Sequence, residues 1–443
     1  VRPFHFPAVE RTALANGLEV VVAETRRFPV VTLELVANAG GTAEEDATAG
    51  VATLTASLLE SGAGERTADQ IAETADDLGI TLDSTTGWDV AQCGFTSLHA
   101  RLEQGLELLA DMVRRPTFPD AEVERLRVER LGTLAHRRTD PSALATEIFS
   151  RYTYAANTPF ARALGGTSTT VSALAREQVA AFHAARYAPA GSALVGAGDV
   201  GLDELAALAE RFFGDWKGES LPAAVPTVTP RSEQATVVVA HRPGAVQSEI
   251  RLGHVGVERG APDYTHITVM NSILGGSFSS RLNMNLRERR GYTYGVSTLW
   301  TARRQRGAFY ASTAVQTEVT AHAVEEILRE IRGMREAEVS PGELRDARDY
   351  LAGVFPLTVE TTTGVAARLS GLVTYGLPTD HYQGHRERIL SVTADEVLQA
   401  ARRRLHPERA VIVVAGDADQ VRAPLEALGI GPVEVVDPAE VLD

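Results

Sequence analysis

The stretch RYAPAGSALVGAGDV (186–200) is followed 218 residues later by RLHPERAVIVVAGDA (404–418). Each runs from the end of a helix through proline into an apolar strand and stops at Gly-Asp. Pro189 matches Pro407, Gly198 matches Gly416 and Asp199 matches Asp417. A second set of matches lies upstream: Gly79, Thr81, Thr86 and Trp88 against Gly291, Thr293, Thr298 and Trp300, at a spacing of 212. Self-similarity at a fixed spacing marks a repeated folding unit. The chain of 443 residues therefore reads as a tandem duplication.

Between the copies, FFGDWKGESLPAAVPTVTPRSEQ (212–234) carries three prolines and no helical period, which suits an extended linker. The expected organisation is a domain over 1–216, a linker over 217–234 and a homologous domain over 235–443. In the first copy, LEVVVAE and VVTLELVAN alternate as strands do, with Val31, Leu33, Leu35 and Ala37 on one side. Thr67 with Gln70 forms a capping box, and Gly79 suits a helix stop. Strands are expected at 80–86, 90–97 and 192–198. Helices are expected near 100–113, 119–138, 171–187 and 202–213. A second capping box stands at Ser340–Glu343. Hairpin-linked strands with helices in blocks predict an α+β fold, each copy a mostly antiparallel sheet with helices over one face.

Composition narrows the partners. The net charge is −15, which argues against nucleic acid, because phosphate binding needs a basic face. The acidity fits solubility first, and is compatible with selection of basic peptides. No apolar run spans eighteen residues, so no membrane span is expected. No basic segment followed by an apolar core opens the chain, so no signal peptide is expected, and the compartment stays open between cytoplasm and periplasm. A single cysteine, Cys93, excludes internal disulfides and cysteine-built metal sites. Lys217 is the only lysine among 43 basic residues, as in a GC-rich bacterial genome.

The segment GGTAEEDATAGVATLTASLLESGAGERT (40–67) resembles the zinc-motif region of the pitrilysin and mitochondrial-processing-peptidase family of metallopeptidases. In that family an H-x-x-E-H helix supplies two histidine ligands and a glutamate base. Histidines four apart on one helix face share a metal, and the glutamate deprotonates its water. In family register the histidines fall on Thr53 and Ser57, and the base falls on Ala56. A third ligand, a glutamate on a later helix, falls on Thr133 when the register is set by Asp140-Pro141. None of these can serve as a good zinc ligand or a base, so no metal and no cofactor are expected in this chain. His381 and His385 have a four-residue spacing, but Gly384 stands between them; they read as surface residues, as does His136.

The second copy carries NSILGGSFSSRLNMNLRERRGYTYGVSTLW (271–300), which resembles the family segment holding a substrate-binding arginine and tyrosine. Gly275 and Gly276 suit a sharp turn, SSRLNMNLRE a short helix, and GYTYGVSTLW a strand with Tyr292 and Tyr294 on one face. The resemblance implies that Arg287 binds a substrate carbonyl or carboxylate and that Tyr292, with Tyr294 as the alternative, stabilises an oxyanion. Without it, Arg287 is one exposed charge of RERR and the tyrosines pack on the sheet. The counterparts of Arg287 and Tyr292 in the first copy are Ala75 and Ile80.

By resemblance, the chain is expected to be the zinc-lacking subunit of a bacterial heterodimeric peptidase. A homologous partner would carry H-x-x-E-H and zinc, and unfolded peptides would bind by adding a strand to a sheet edge. Two other readings remain: a structural core subunit of a respiratory-type complex, and a non-enzymatic peptide-binding homodimer.

Overall fold

The computed structural model describes residues 4–219, 221–223 and 225–441. Ser220 and Ala224, in the expected linker, lie outside the described residues. The first copy contains β1 (Val9–Ala13), β2 (Glu19–Glu24), β3 (Val30–Ala37), α1 (Val51–Leu58), a small hairpin of β4 (Gly62–Ala63) and β5 (Arg66–Thr67), and α2 (Ala68–Leu78). β6 (Thr81–Thr86), β7 (Ala91–Leu98), α3 (Leu102–Arg114), α4 (Asp120–Thr139), α5 (Pro141–Thr153), α6 (Ser168–Ala173), α7 (Arg176–Arg186), β8 (Ser192–Gly198) and α8 (Leu202–Phe213) complete it. The second contains β9 (Thr236–His241), β10 (Gln247–Val255), α9 (Tyr264–Asn271), β11 (Val296–Trp300), β12 (Ala308–Gln316), α10 (Thr320–Glu336), α11 (Pro341–Val354) and α12 (Thr362–Tyr375). It ends with α13 (His385–Ser391), α14 (Ala394–Arg404), β13 (Val411–Gly416), α15 (Ala418–Ala427), β14 (Val433–Val436) and α16 (Pro438–Val441).

The duplication is visible in the sheets. The first runs β1-β2-β8-β3-β7-β6 and the second β14-β9-β13-β10-β12-β11. Both are mostly antiparallel; β2 with β8 and β9 with β13 are parallel. The outermost strands differ. β1 enters as a hairpin antiparallel to β2, whereas β14 arrives after α15 and lies parallel to β9.

Two compact units form, and each takes a segment from the other copy. One comprises residues 1–132, 164–225 and 355–384; the other comprises 133–163, 226–354 and 385–443. This exchange corrects the expectation of helices over one face only. In the first unit, α1, α3 and α8 bury Leu54, Leu106, Leu109 and Leu205 against Leu33, Leu35 and Phe95. The opposite face, carrying Val36, Val195 and Ala197, is covered by Val365, Ala366 and Leu369 of α12. Ser370 donates to Glu34 at 2.6 Å, and the hydroxyls of Thr362 and Thr32 lie 2.8 Å apart. In the second unit, α5 docks on β10: Arg251 donates to Thr146 Oγ1 at 3.1 Å and to Ser142 Oγ at 2.6 Å. Phe149 packs on Tyr310 with ring centroids 5.4 Å apart. Coverage on both sides explains why β8 and β13 are buried along their whole length.

Other differences are local. The helix expected over 171–187 breaks at Leu174, whose extended backbone (ψ 131°) separates α6 from α7. α5 begins where Asp140 accepts a hydrogen bond from the Ala143 N–H at 2.6 Å and Pro141 takes the first helical position.

Candidate functional site

Helix α1 has no hydroxyl at its start. Gly50 holds the N-cap at φ 99°, where a Cβ would meet the Gly165 carbonyl oxygen at 2.8 Å. Glu44 supplies the cap from a distance, accepting from the N–H of Gly50 (3.1 Å) and of Ala52 (2.8 Å). The carboxylate satisfies two of the orphan donors and complements the helix dipole. Ser84 and Thr86 of β6 donate to the carbonyls of Ala56 (2.7 Å) and Ala52 (3.2 Å), fixing α1 under its sheet.

Along α1, Thr53 is half-buried, Ala56 is buried and Ser57 is exposed. Among the described residues nothing hydrogen-bonds the buried Thr53 hydroxyl. Thr133 lies exposed on α4. Zinc needs imidazole, carboxylate or thiolate donors, and hydroxyls and a methyl group do not fit it. Among the described residues no group of three or more His, Cys, Asp or Glu is arranged to hold a metal. His381 lies in a turn and His385 opens α13, so their spacing does not place them on one helix face. His136 is exposed.

The second copy is built differently. α9 widens into a π-helical turn at Ser272–Gly276, and a second π-helical segment covers Asn283–Arg289. Such widened turns recur at functional sites. Gly275 is required by close approach rather than by a turn: a Cβ there would lie 2.7 Å from Thr298 Cγ2. The second segment stops at Gly291 (φ 65°), as α2 stops at Gly79 (φ 62°). The N–H of Tyr292 closes it by donating to the Leu286 carbonyl at 2.8 Å.

A buried carboxylate holds this segment against α10. Glu326 receives Arg290 Nη2 (2.7 Å), Arg329 Nη1 (2.7 Å) and Asn285 Nδ2 (2.8 Å). Arg290 Nε also donates to Asn285 Oδ1 at 3.1 Å.

Arg287 stands apart from that network. Its guanidinium lies over the Phe278 ring, 4.2 Å from the centroid, and its Nε is 3.6 Å from Glu288. No side chain or carbonyl of this chain accepts from its two Nη groups among the described residues, so the fork is available to a planar acceptor. Phe278 is itself 72% exposed. Tyr292 and Tyr294 do not lie on a strand, because β11 begins only at Val296. Their environments diverge accordingly. The Tyr292 ring is half-buried against the core, where its counterpart Ile80 is buried, and its hydroxyl is 3.5 Å from Arg290 Nη1. Tyr294 is 97% exposed. No hydrogen bond or ring contact joins Arg287 to either tyrosine among the described residues. Sequence reasoning passed over Phe278 and Glu326. An aromatic residue inside the Gly/Ser-rich GGSFSS was the available signal for the first; nothing local signalled the second.

A cavity of the second unit lies elsewhere, lined by His254, Arg306, Arg404, His406 and Arg409 among others. Asp263 pairs with Arg404 at 2.9 Å, and Glu233 with Arg409 at 2.9 Å.

Comparison with known proteins fits this architecture. Residues 19–168 match the profile of insulinase, peptidase family M16, and residues 173–351 that of the peptidase M16 inactive domain. An uncharacterized zinc protease of Mycobacterium tuberculosis is 29% identical over 417 residues, covering 89% of this chain and 90% of its own. One from Mycobacterium leprae is 27% identical over 421 residues, covering 94% of this chain and 93% of its own. The crystal structure of a peptidase M16 inactive domain from Pseudomonas fluorescens superposes with a TM-score of 0.86 at 26% identity, covering 92% of this chain and 98% of that one. A two-unit α+β fold with these matches defines a peptidase-like protein. The chain belongs to the M16, or pitrilysin, peptidase family.

Proposed function

We propose that this chain is the zinc-lacking subunit of a heterodimeric M16 peptidase, contributing Arg287 and Tyr292 to a site whose metal belongs to a homologous partner. The observation that carries the reading is an asymmetry. The H-x-x-E-H positions hold Thr53, Ala56 and Ser57, whereas the second copy presents an unengaged guanidinium fork on an exposed aromatic ring. In this reading the Arg287 fork binds a peptide carbonyl or carboxylate and orients it. The Tyr292 hydroxyl, held only loosely by Arg290, donates to the oxygen on which charge develops. The peptide is extended and pairs with a sheet edge.

The test is Arg287→Ala in the reconstituted pair. The expected result is a fall in kcat/KM of at least about tenfold with assembly intact, the scale of one lost charge-assisted hydrogen bond. Unchanged turnover would remove Arg287 from the site. The same surface would serve a peptide-binding protein without chemistry, and turnover by the pair separates the two readings.

A further inference from the structure

Each sheet ends in an edge strand on the side away from β1 or β14: β6 in one and β11 in the other. An edge strand turns the N–H and C=O of alternate residues away from its sheet, where another strand can pair with them. On β11 three such groups are already taken. The Asn283 side chain donates Nδ2 to the Val296 carbonyl at 2.9 Å and accepts the Val296 N–H at 3.1 Å. One amide thereby imitates the partner strand at that residue. Asn271 Nδ2 donates to the Thr298 carbonyl at 3.1 Å. Gly275 lies flush on the same strand, so that a Cβ there would stand 3.0 Å from the Thr298 nitrogen. Val296, Thr298 and Asn283 are all buried.

β6 is the opposite case. Among the described residues, no hydrogen bond from outside its sheet reaches a backbone group of Thr81–Thr86, and its residues alternate between exposed and half-buried. The sequence records the difference. Counted from the matching stops Gly79 and Gly291, Asn283 falls opposite Ile71 and Asn271 opposite Leu59. Both counterparts are apolar and buried, with no amide to offer a strand.

We propose that Asn271 and Asn283 are specificity-determining residues that seal β11 against strand addition, so that an extended peptide pairs with β6 and not with its counterpart β11. The proposal rests on the peptide-binding reading above. Two copies of one fold would otherwise offer two equivalent edges, and the asparagines leave one. Displacing them would strip partners from buried backbone groups, which is costly unless the incoming strand replaces every bond.

The experiment is residue-resolved amide hydrogen exchange on the full chain, alone and with an end-capped extended peptide. The variants are Asn271→Leu with Asn283→Ile, which install the first-copy residues, and the milder Asn283→Ser should the double variant fail to fold. In the wild-type chain the Val296 amide is expected to exchange at least about tenfold more slowly than the outward amides of β6, the scale of one hydrogen bond. Peptide should slow β6 and leave β11 unchanged. In the variants Val296 should exchange about tenfold faster, and in the double variant peptide should protect it. Fast exchange of wild-type Val296, peptide protection of wild-type β11, or slow exchange of Val296 in the variants would overturn the proposal. Peptide that protects neither strand would refute the peptide-binding reading, and the Val296 rates would still decide whether the edge is sealed.

Discussion

Tyr292→Phe separates the two roles this residue can play, because the structure assigns them to different atoms. The ring is half-buried against the core, and phenylalanine keeps it. Among the described residues the hydroxyl has one hydrogen-bond contact, Arg290 Nη1 at 3.5 Å, at the limit of a hydrogen bond. Its removal is therefore expected to change stability by less than about 0.5 kcal/mol, as for a surface substitution. If the hydroxyl stabilises an oxyanion, removal should lower kcat about 10²–10³-fold, or roughly 2.7–4 kcal/mol of transition-state stabilisation. The two expectations differ by several kcal/mol. The assay pairs urea unfolding of the chain with kcat and KM for a fluorogenic peptide cleaved by the reconstituted pair. Tyr294→Phe is the control, since that side chain is 97% exposed and contributes no packing. A kcat within twofold of wild type for Tyr292→Phe would show that the Tyr292 hydroxyl does not stabilise the oxyanion. A large loss for Tyr294→Phe alone would transfer the role to Tyr294.

Three further expectations follow from buried polar groups. Glu44→Ala removes both side-chain caps of α1 and should destabilise the chain by about 1–2 kcal/mol, measured by denaturant unfolding. Burial pushes the His254 pKa down to about 4; its Nε2 accepts the His406 N–H at 3.0 Å, and its Nδ1–H donates to the Val255 carbonyl at 2.9 Å. The unfolded chain takes up this proton near pH 6.5 and the folded chain only near 4, so this stabilisation is complete above about pH 6.5 and is lost as pH falls from there towards 4, by about 3 kcal/mol. Unfolding free energies across that window should show the slope, and His254→Phe should flatten it. Burial also pushes the Cys93 thiol up to about 12, so it should resist iodoacetamide at pH 8 in the native chain and react once unfolded.

Local signals in the sequence translated directly into structure. The capping box at Thr67 and Gln70 is present with both bonds, as is that of Ser340 and Glu343. The Gly-Asp strand ends predicted the repeat, which the matching sheet orders bear out. What escaped depended on distant residues. Nothing within α12 says that it lies against strands some 330 residues earlier, as Ser370 does against Glu34. Asp140-Pro141 is a readable helix start, an N-cap carboxylate followed by proline at the first helical position. GYTYG reads as the beginning of a strand, with Tyr292 and Tyr294 two residues apart on one face. The π-helical segment before it uses those residues to return to the sheet, which delays β11 to Val296 and separates the two tyrosines. That Thr53, Ala56 and Ser57 are not zinc ligands is legible in the sequence, because the residue type alone decides whether zinc can be held. The surroundings of Arg287 were not, since its stacking on Phe278 spans a turn that no periodicity describes.

Peptide hydrolysis reads out the proposed division of labour between the two chains. The chain alone, a homologous H-x-x-E-H-bearing partner alone and their equimolar mixture are assayed against one fluorogenic peptide, with and without a zinc chelator. Turnover is expected in the mixture only, abolished by the chelator. Chelator-sensitive turnover by this chain alone, or turnover by the partner that this chain does not increase, would contradict it.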